Sequence, residues 1–147
     1  HSSATHGYMT GGYAATPGYS NRIQKWPFAS AADATDVGDL TYADYGVAGT
    51  SSADHGYTSG GGGPPYRNNI EKFAFASDGN ASDVGDKNAG NMYQVGTSSA
   101  DNGYVSGGFA DVGGQDYIFK YSHASDGNST DIGNLATGHH RAAGTQN

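Results

Sequence analysis

The chain has 147 residues, among them 25 Gly, 11 Tyr and no Cys, which is the length of about one domain. Its formal net charge is −7 with only seven Lys and Arg residues, a poor counterion-releasing surface that argues against nucleic-acid binding. Leucine occurs only at Leu40 and Leu135, and no apolar run approaches the ~18 residues of a membrane-spanning helix. Long helices are therefore disfavoured, and short glycine-bounded strands are favoured.

Three imperfect copies of a unit of about 48 residues fill the chain. They span 1–49, 50–96 and 97–147. Ser-Ser-Ala occurs at Ser2, Ser51 and Ser98, followed by Gly-Tyr at Gly7, Gly56 and Gly103 and by Gly-Gly at Gly11, Gly60 and Gly107. Ile-x-Lys-aromatic then appears at Ile23–Trp26, Ile70–Phe73 and Ile118–Tyr121. Asp-(Val/Ile)-Gly closes each copy at Asp36, Asp83 and Asp131, and a Gly-Thr pair leads into the next.

Each copy divides into four strand-like stretches, a to d, with a entering the Ser-Ser-Ala turn. Around the second copy they are 94–97 (a), 56–59 (b), 70–76 (c) and 82–86 (d). Stretch c alternates with period two and sets Phe73 and Phe75 on one face. Asp78-Gly79-Asn80 and Asp126-Gly127-Asn128 supply turn residues that tolerate positive φ and predict a c–d hairpin. Four antiparallel strands of this size, repeated, predict an all-β fold of propeller blades, three per chain.

Gly103–Gly108 resembles the diglycine strand of a kelch repeat, Ile118–Tyr121 its aromatic strand, and Arg141–Gly144 the opening of a next unit. The chain is thus similar to kelch-like β-propeller repeats, departing from them where Val37, Val84 and Ile132 replace the usual Trp. The run of Thr-His-Gly-Tyr, Ser-Gly-Gly and Asp-Val-Gly-Asp-Leu also resembles repeats in structural proteins of marine and cyanobacterial phages. That resemblance implies a virion or extracellular location and a structural or adhesive role.

The stretches run b-c-d, a-b-c-d, a-b-c-d, a, so the units are cut out of phase. Three blades do not close a ring, since propellers have about four to eight. The expectation is therefore a homo-oligomer, either two chains closing a six-bladed ring by exchanging terminal strands or a longer array.

The a–b and c–d turns are uniform between copies and read as scaffold. The b–c and d–a loops diverge and read as the recognition face. The former loops run 13–22, 62–69 and 109–117; the latter include 41–45, 88–93 and 137–141. These loops are rich in Tyr, Asn and Asp, a chemistry suited to sugar rings and hydroxyls. The candidate ligand-contacting set on this face is Tyr13, Tyr19, Tyr66, Arg67, Tyr93, Tyr117, His139 and Arg141. Glycans are the expected small ligand, with a protein partner as the alternative.

Asp78, Asn80 and Asp83, and likewise Asp126, Asn128 and Asp131, have the oxygen spacing of a calcium loop. A plain c–d turn accounts for them equally well, and the first copy carries Ala31-Ala32-Asp33 instead. His139-His140-Arg141 is the one local cluster with metal or anion chemistry. No nucleophile elbow, His-Glu-x-x-His or P-loop is present, so neither catalytic residues nor a cofactor is expected. A propeller hydrolase or oxidase is the disfavoured reading.

Overall fold

Among the described residues, the alternating, glycine-punctuated stretches form thirteen strands and no helix. The computed structural model describes residues 1–16, 18–62, 65–111 and 113–144. In the first copy β1 (His6–Thr10), β2 (Ser20–Pro27) and β3 (Thr35–Asp44) form an antiparallel sheet in that order. In the second, β4 (Ala48–Ser51), β5 (His55–Gly61), β6 (Arg67–Ala74) and β7 (Ser82–Asp86) do the same. In the third, β8 (Val95–Ser98) and β9 (Asn102–Ser106) precede a two-stranded hairpin of β10 (Phe109–Ala110) and β11 (Gly113–Gly114). The sheet then continues through β12 (Tyr117–Ser122) to β13 (Thr130–Asn134).

The chain is thus all-β, with several antiparallel sheets. Stretches a to d overlap β8, β5, β6 and β7. Strand a joins the sheet of the copy that follows it, so the divisions at 49/50 and 96/97 fall inside β4 and β8. In the first sheet the a position is held by a bridge from Ser2 to Gly7, by the Tyr8 N–H, which donates to the His1 carbonyl at 2.9 Å, and by the His1 amino group, which donates to the Tyr8 carbonyl at 3.3 Å. Of the last a stretch, expected at 144–147, residues 145–147 lie outside the described residues. Several segments expected as loops are strand: Tyr42 and Asp44 end β3, Arg67 opens β6 and Tyr117 opens β12. Their backbones stay paired beyond the point where alternation of side chains ends.

The Gly-Tyr motif has a steric cause. Gly7, Gly56 and Gly103 stand opposite Trp26, Phe73 and Tyr121 on the neighbouring strand. Each aromatic ring lies across the glycine it faces, and a Cβ on Gly56 would meet the Phe73 ring at 2.3 Å.

Strand c of the second copy is buried on both sides because the sheets stack face to face. Its isoleucine points toward the next copy and its aromatic toward the previous one. Tyr8, Ile23 and Leu40 of the first copy pack with Phe73 and Ala81 of the second. Ala48, Tyr57 and Ile70 of the second pack with Val105 and Tyr121 of the third. Tyr8 stacks on Phe75 at 4.8 Å, and Tyr57 stacks on His123 at the same separation. Ile23 and Ile70 are 0% and 1% exposed, and each such side chain stabilises by roughly 1.5–3 kcal/mol.

Polar contacts latch the same seams. The turn of each later copy crosses strand d of the copy before it. Asp78 pairs with Lys25 and Asp126 with Lys72, both at 2.5 Å. Asn80 Oδ1 accepts from the Asp39 N–H at 3.0 Å, and Asn128 Oδ1 accepts from the Asp86 N–H at 2.9 Å. Asp83 and Asp131 accept from the N–H groups of Gly85 and Gly133. The oxygens spaced like a calcium loop are therefore engaged in turn and seam contacts. Among the described residues, no group of three His, Asp or Glu side chains is placed to hold a metal.

Gly56→Ala is expected to destabilise by about 1–3 kcal/mol through overpacking against Phe73. Gly7→Ala is expected to cost less, because Trp26 is 36% exposed and has room to swing away. Urea unfolding of the two variants checks both the sign and the order.

Candidate functional site

The d–a connections are held from below by the diglycines. The N–H groups of Gly12, Gly61 and Gly108 donate to the carbonyls of Asp44, Asn91 and His139 at 2.8, 3.0 and 2.7 Å. These glycines have φ near +110°, a left-handed conformation that glycine adopts without steric cost. Two residues further along each connection, Gly46, Tyr93 and Arg141 share one repeat position and one conformation, with φ of 68°, 57° and 58°. They form a ladder between copies. The Tyr93 N–H donates to Gly46 O at 2.6 Å, and the Arg141 N–H donates to Tyr93 O at 2.9 Å.

This ladder supports a continuous aromatic surface. Tyr13 and Tyr19, bridged within the first b–c loop, lie 5.8 Å apart between ring centroids. Tyr19 stacks on Tyr45 at 4.8 Å, and Tyr45 meets Tyr93 edge-on at 5.8 Å. The Arg141 guanidinium lies over the Tyr93 ring, 4.6 Å from its centroid. Tyr13 is 72% exposed and Tyr19 47%. Four of the eight expected ligand-contacting residues, Tyr13, Tyr19, Tyr93 and Arg141, therefore come together. Tyr45 completes the row, and its loop position marks it in the sequence.

The other four are elsewhere. Tyr66 and Arg67 line a groove of about 210 Å³ with Tyr42, Asn68, Asp83 and Asp86. Arg67 stacks on Tyr42 at 3.9 Å and pairs with the buried Asp44 at 2.8 Å. Burial pushes the Asp44 carboxyl up, and Arg67 opposes that shift. Tyr117 stacks on Phe119 at 5.5 Å within the third sheet. His139 turns back to the Thr137 carbonyl at 2.8 Å, while His140 packs on Phe109 at 5.4 Å. The side chains of the His139-His140-Arg141 cluster thus diverge. A further cleft of about 220 Å³ runs along the first strands, lined by His1, Ser2, Gly49, Ser51, Gly96 and Gly144.

Lys87 is a group that sequence reasoning missed. It occupies the position of Leu40 and Leu135 and is 1% exposed. Its ammonium donates to Asn91 Oδ1 and, at 2.7 Å, to Gln94 Oε1. Among the described residues no carboxylate bonds to it, and desolvation pushes its pKa down to about 7. The departure of one copy from leucine, next to two amides, was the available signal.

No family model matches the chain, and no curated protein matches it. Among solved structures, 112 chains match. One, described as "Structure of YjhT", superposes with a TM-score of 0.73 at 12% sequence identity. The match covers 90% of this chain and 50% of that one, so the chain spans half the length of that structure. At this identity the likeness concerns the fold alone.

Two outcomes follow from the buried charges. Between pH 7 and the unfolded lysine value of 10.5, the unfolded chain holds a proton at Lys87 that the folded chain has released. Stability should therefore rise with pH across that window, by up to about 1.4 kcal/mol per unit from this group, and Lys87→Met should flatten the rise; urea titrations across the window decide it. Arg67→Ala should destabilise by about 3 kcal/mol by leaving Asp44 buried without its cation, and Asp44→Asn in the same background should recover part of the loss.

Proposed function

We propose that the chain is a non-enzymatic structural or adhesive module built of kelch-like four-stranded propeller blades, holding glycans on its tyrosine row in an extracellular or virion assembly. The observation that carries this reading is the row itself: Tyr13 and Tyr19 of one loop, Tyr45 of a second and Tyr93 of the next copy form one aromatic row, exposed at Tyr13 and Tyr19 and half-buried at Tyr45 and Tyr93. Flat rings of this kind suit the C–H faces of sugars, and the tyrosine hydroxyls and Arg141 supply polar partners. The repeated strand order a-b-c-d and the face-to-face stacking of successive sheets support the blade reading. The likeness to a chain of twice the length is consistent with a larger ring. The cleft along the first strands is lined by glycine, serine and one histidine and carries no carboxylate, which favours recognition over hydrolysis. Association with further copies of the repeat, in a six-bladed ring of two chains or a longer array, belongs to the same reading.

Glycan-array binding followed by calorimetry tests it. Tyr13→Ala with Tyr19→Ala should weaken binding about tenfold or more, from the loss of two stacking faces, with the melting temperature unchanged. A chain that binds no glycan, or binds as well without these rings, overturns the reading. Tyrosine-dependent capture of a defined protein would then favour the protein-interaction scaffold.

A further inference from the structure

The two internal seams define what a sheet of this protein needs on each side, and one face of each outer sheet lacks it. Toward the next copy, a sheet offers the tyrosine of strand b, the isoleucine of strand c, the valine or isoleucine of strand d and a lysine. In the first two copies these are Tyr8, Ile23, Val37 and Lys25, then Tyr57, Ile70, Val84 and Lys72. In the third copy they are Tyr104, Ile118, Ile132 and Lys120. Tyr104 and Ile118 are half-buried where their counterparts are buried, and Ile132 is 51% exposed. A shallow cavity of about 300 Å³ opens there, lined by Asn102, Lys120, Thr130 and Ile132 among others.

Toward the previous copy, a sheet offers two aromatics from strand c and the c–d turn. Phe73 and Phe75 fill this role in the second copy, and Tyr121 and His123 in the third. In the first copy the equivalents are Trp26 and Phe28, which are 36% and 56% exposed. The two open faces are the two halves of one seam.

We infer that a second copy of this chain docks head to tail, its Trp26 and Phe28 packing on Tyr104, Ile118 and Ile132 of the first. This rests on the ring-forming part of the proposed function and names its interface. The partner is specified by complementarity, because the same pairing of residue types is seated twice within the chain. One difference sets its strength. The turn that would meet Lys120 reads Ala31-Ala32-Asp33, so the acid that Asp78 and Asp126 supply is missing. Asp33 keeps an acceptor for the Asn134 N–H, as Asn80 and Asn128 accept at the internal seams. The seam between chains is thus the apolar seam of the interior without its lysine latch, and it is a reversible contact.

Sedimentation velocity on the full chain tests this. Wild type should show a concentration-dependent species of twice the 15.0 kDa chain mass. Ile132→Asp, and separately Trp26→Ser with Phe28→Ser, should each weaken association at least tenfold at unchanged melting temperature, since these side chains are exposed. Mixing the two variants should restore pairing through the one intact seam, which a symmetric patch-to-patch dimer would not do. Ala31→Asp should tighten association about two- to fivefold, and Lys120→Met should cancel that gain. A chain that stays monomeric, or mixed variants that fail to pair, overturns the inference. A monomer that still binds glycan through Tyr13 leaves the recognition reading standing, whereas a head-to-tail dimer without glycan binding does the reverse.

Discussion

The seam between consecutive sheets, with tyrosine and isoleucine of one copy set against two aromatics of the next, is the contact on which the rest of the structure depends. One repeat unit of this kind cannot bury its hydrophobic face alone. Here strand c of the middle sheet is buried on both faces and each outer sheet buries one face against it, so the sheets are stable as a stack. The glycines follow from the seam. Gly7, Gly56 and Gly103 clear space for the rings that reach across. Gly38 and Gly85 let the turns of the following copy lie directly on strand d, where a Cβ would stand 2.2 Å from a carbonyl oxygen.

Much of this was legible because the repeat compares the chain with itself. A position held constant through three copies has to serve a contact made in every copy. That logic locates strands b, c and d, the Gly-Tyr and diglycine pairs, and the division between uniform turns and divergent loops. It fails where a residue acts across copies. Asp78, Asn80 and their counterparts read as a calcium loop or a plain turn because their partners, Lys25, Asp39, Lys72 and Asp86, lie 40 or more residues away in sequence. It also fails where one copy departs from the pattern. Lys87, buried among amides, replaces a leucine, and the cause is tertiary.

The candidate site was half legible for a related reason. Loop membership identified the tyrosines of the exposed row, but it also gathered Tyr117 and Arg67, which the backbone pairing draws into strands. Arg67 is then consumed by Asp44, a carboxylate that burial makes costly without a cation. A cationic residue near a recognition face is a ligand contact only if the fold has not already neutralised it.

The ladder of Gly46, Tyr93 and Arg141 has a consequence for how such a protein diversifies. Its bonds are made entirely by backbone N–H and carbonyl groups, so no rung needs a particular side chain to make them, although a Cβ at Gly46 would stand 2.9 Å from the Tyr93 ring. The three occupants span no side chain, an aromatic and a cation, with the same left-handed backbone. The modest steric penalty of that backbone for a non-glycine residue, roughly 1–2 kcal/mol, is borne by the surrounding bonds. The rungs at Tyr93 and Arg141 are in effect exchangeable sockets, and the glycine at the first rung leaves room for the Tyr93 ring. Selection can change what the surface contacts one residue at a time, while the register between neighbouring sheets stays locked.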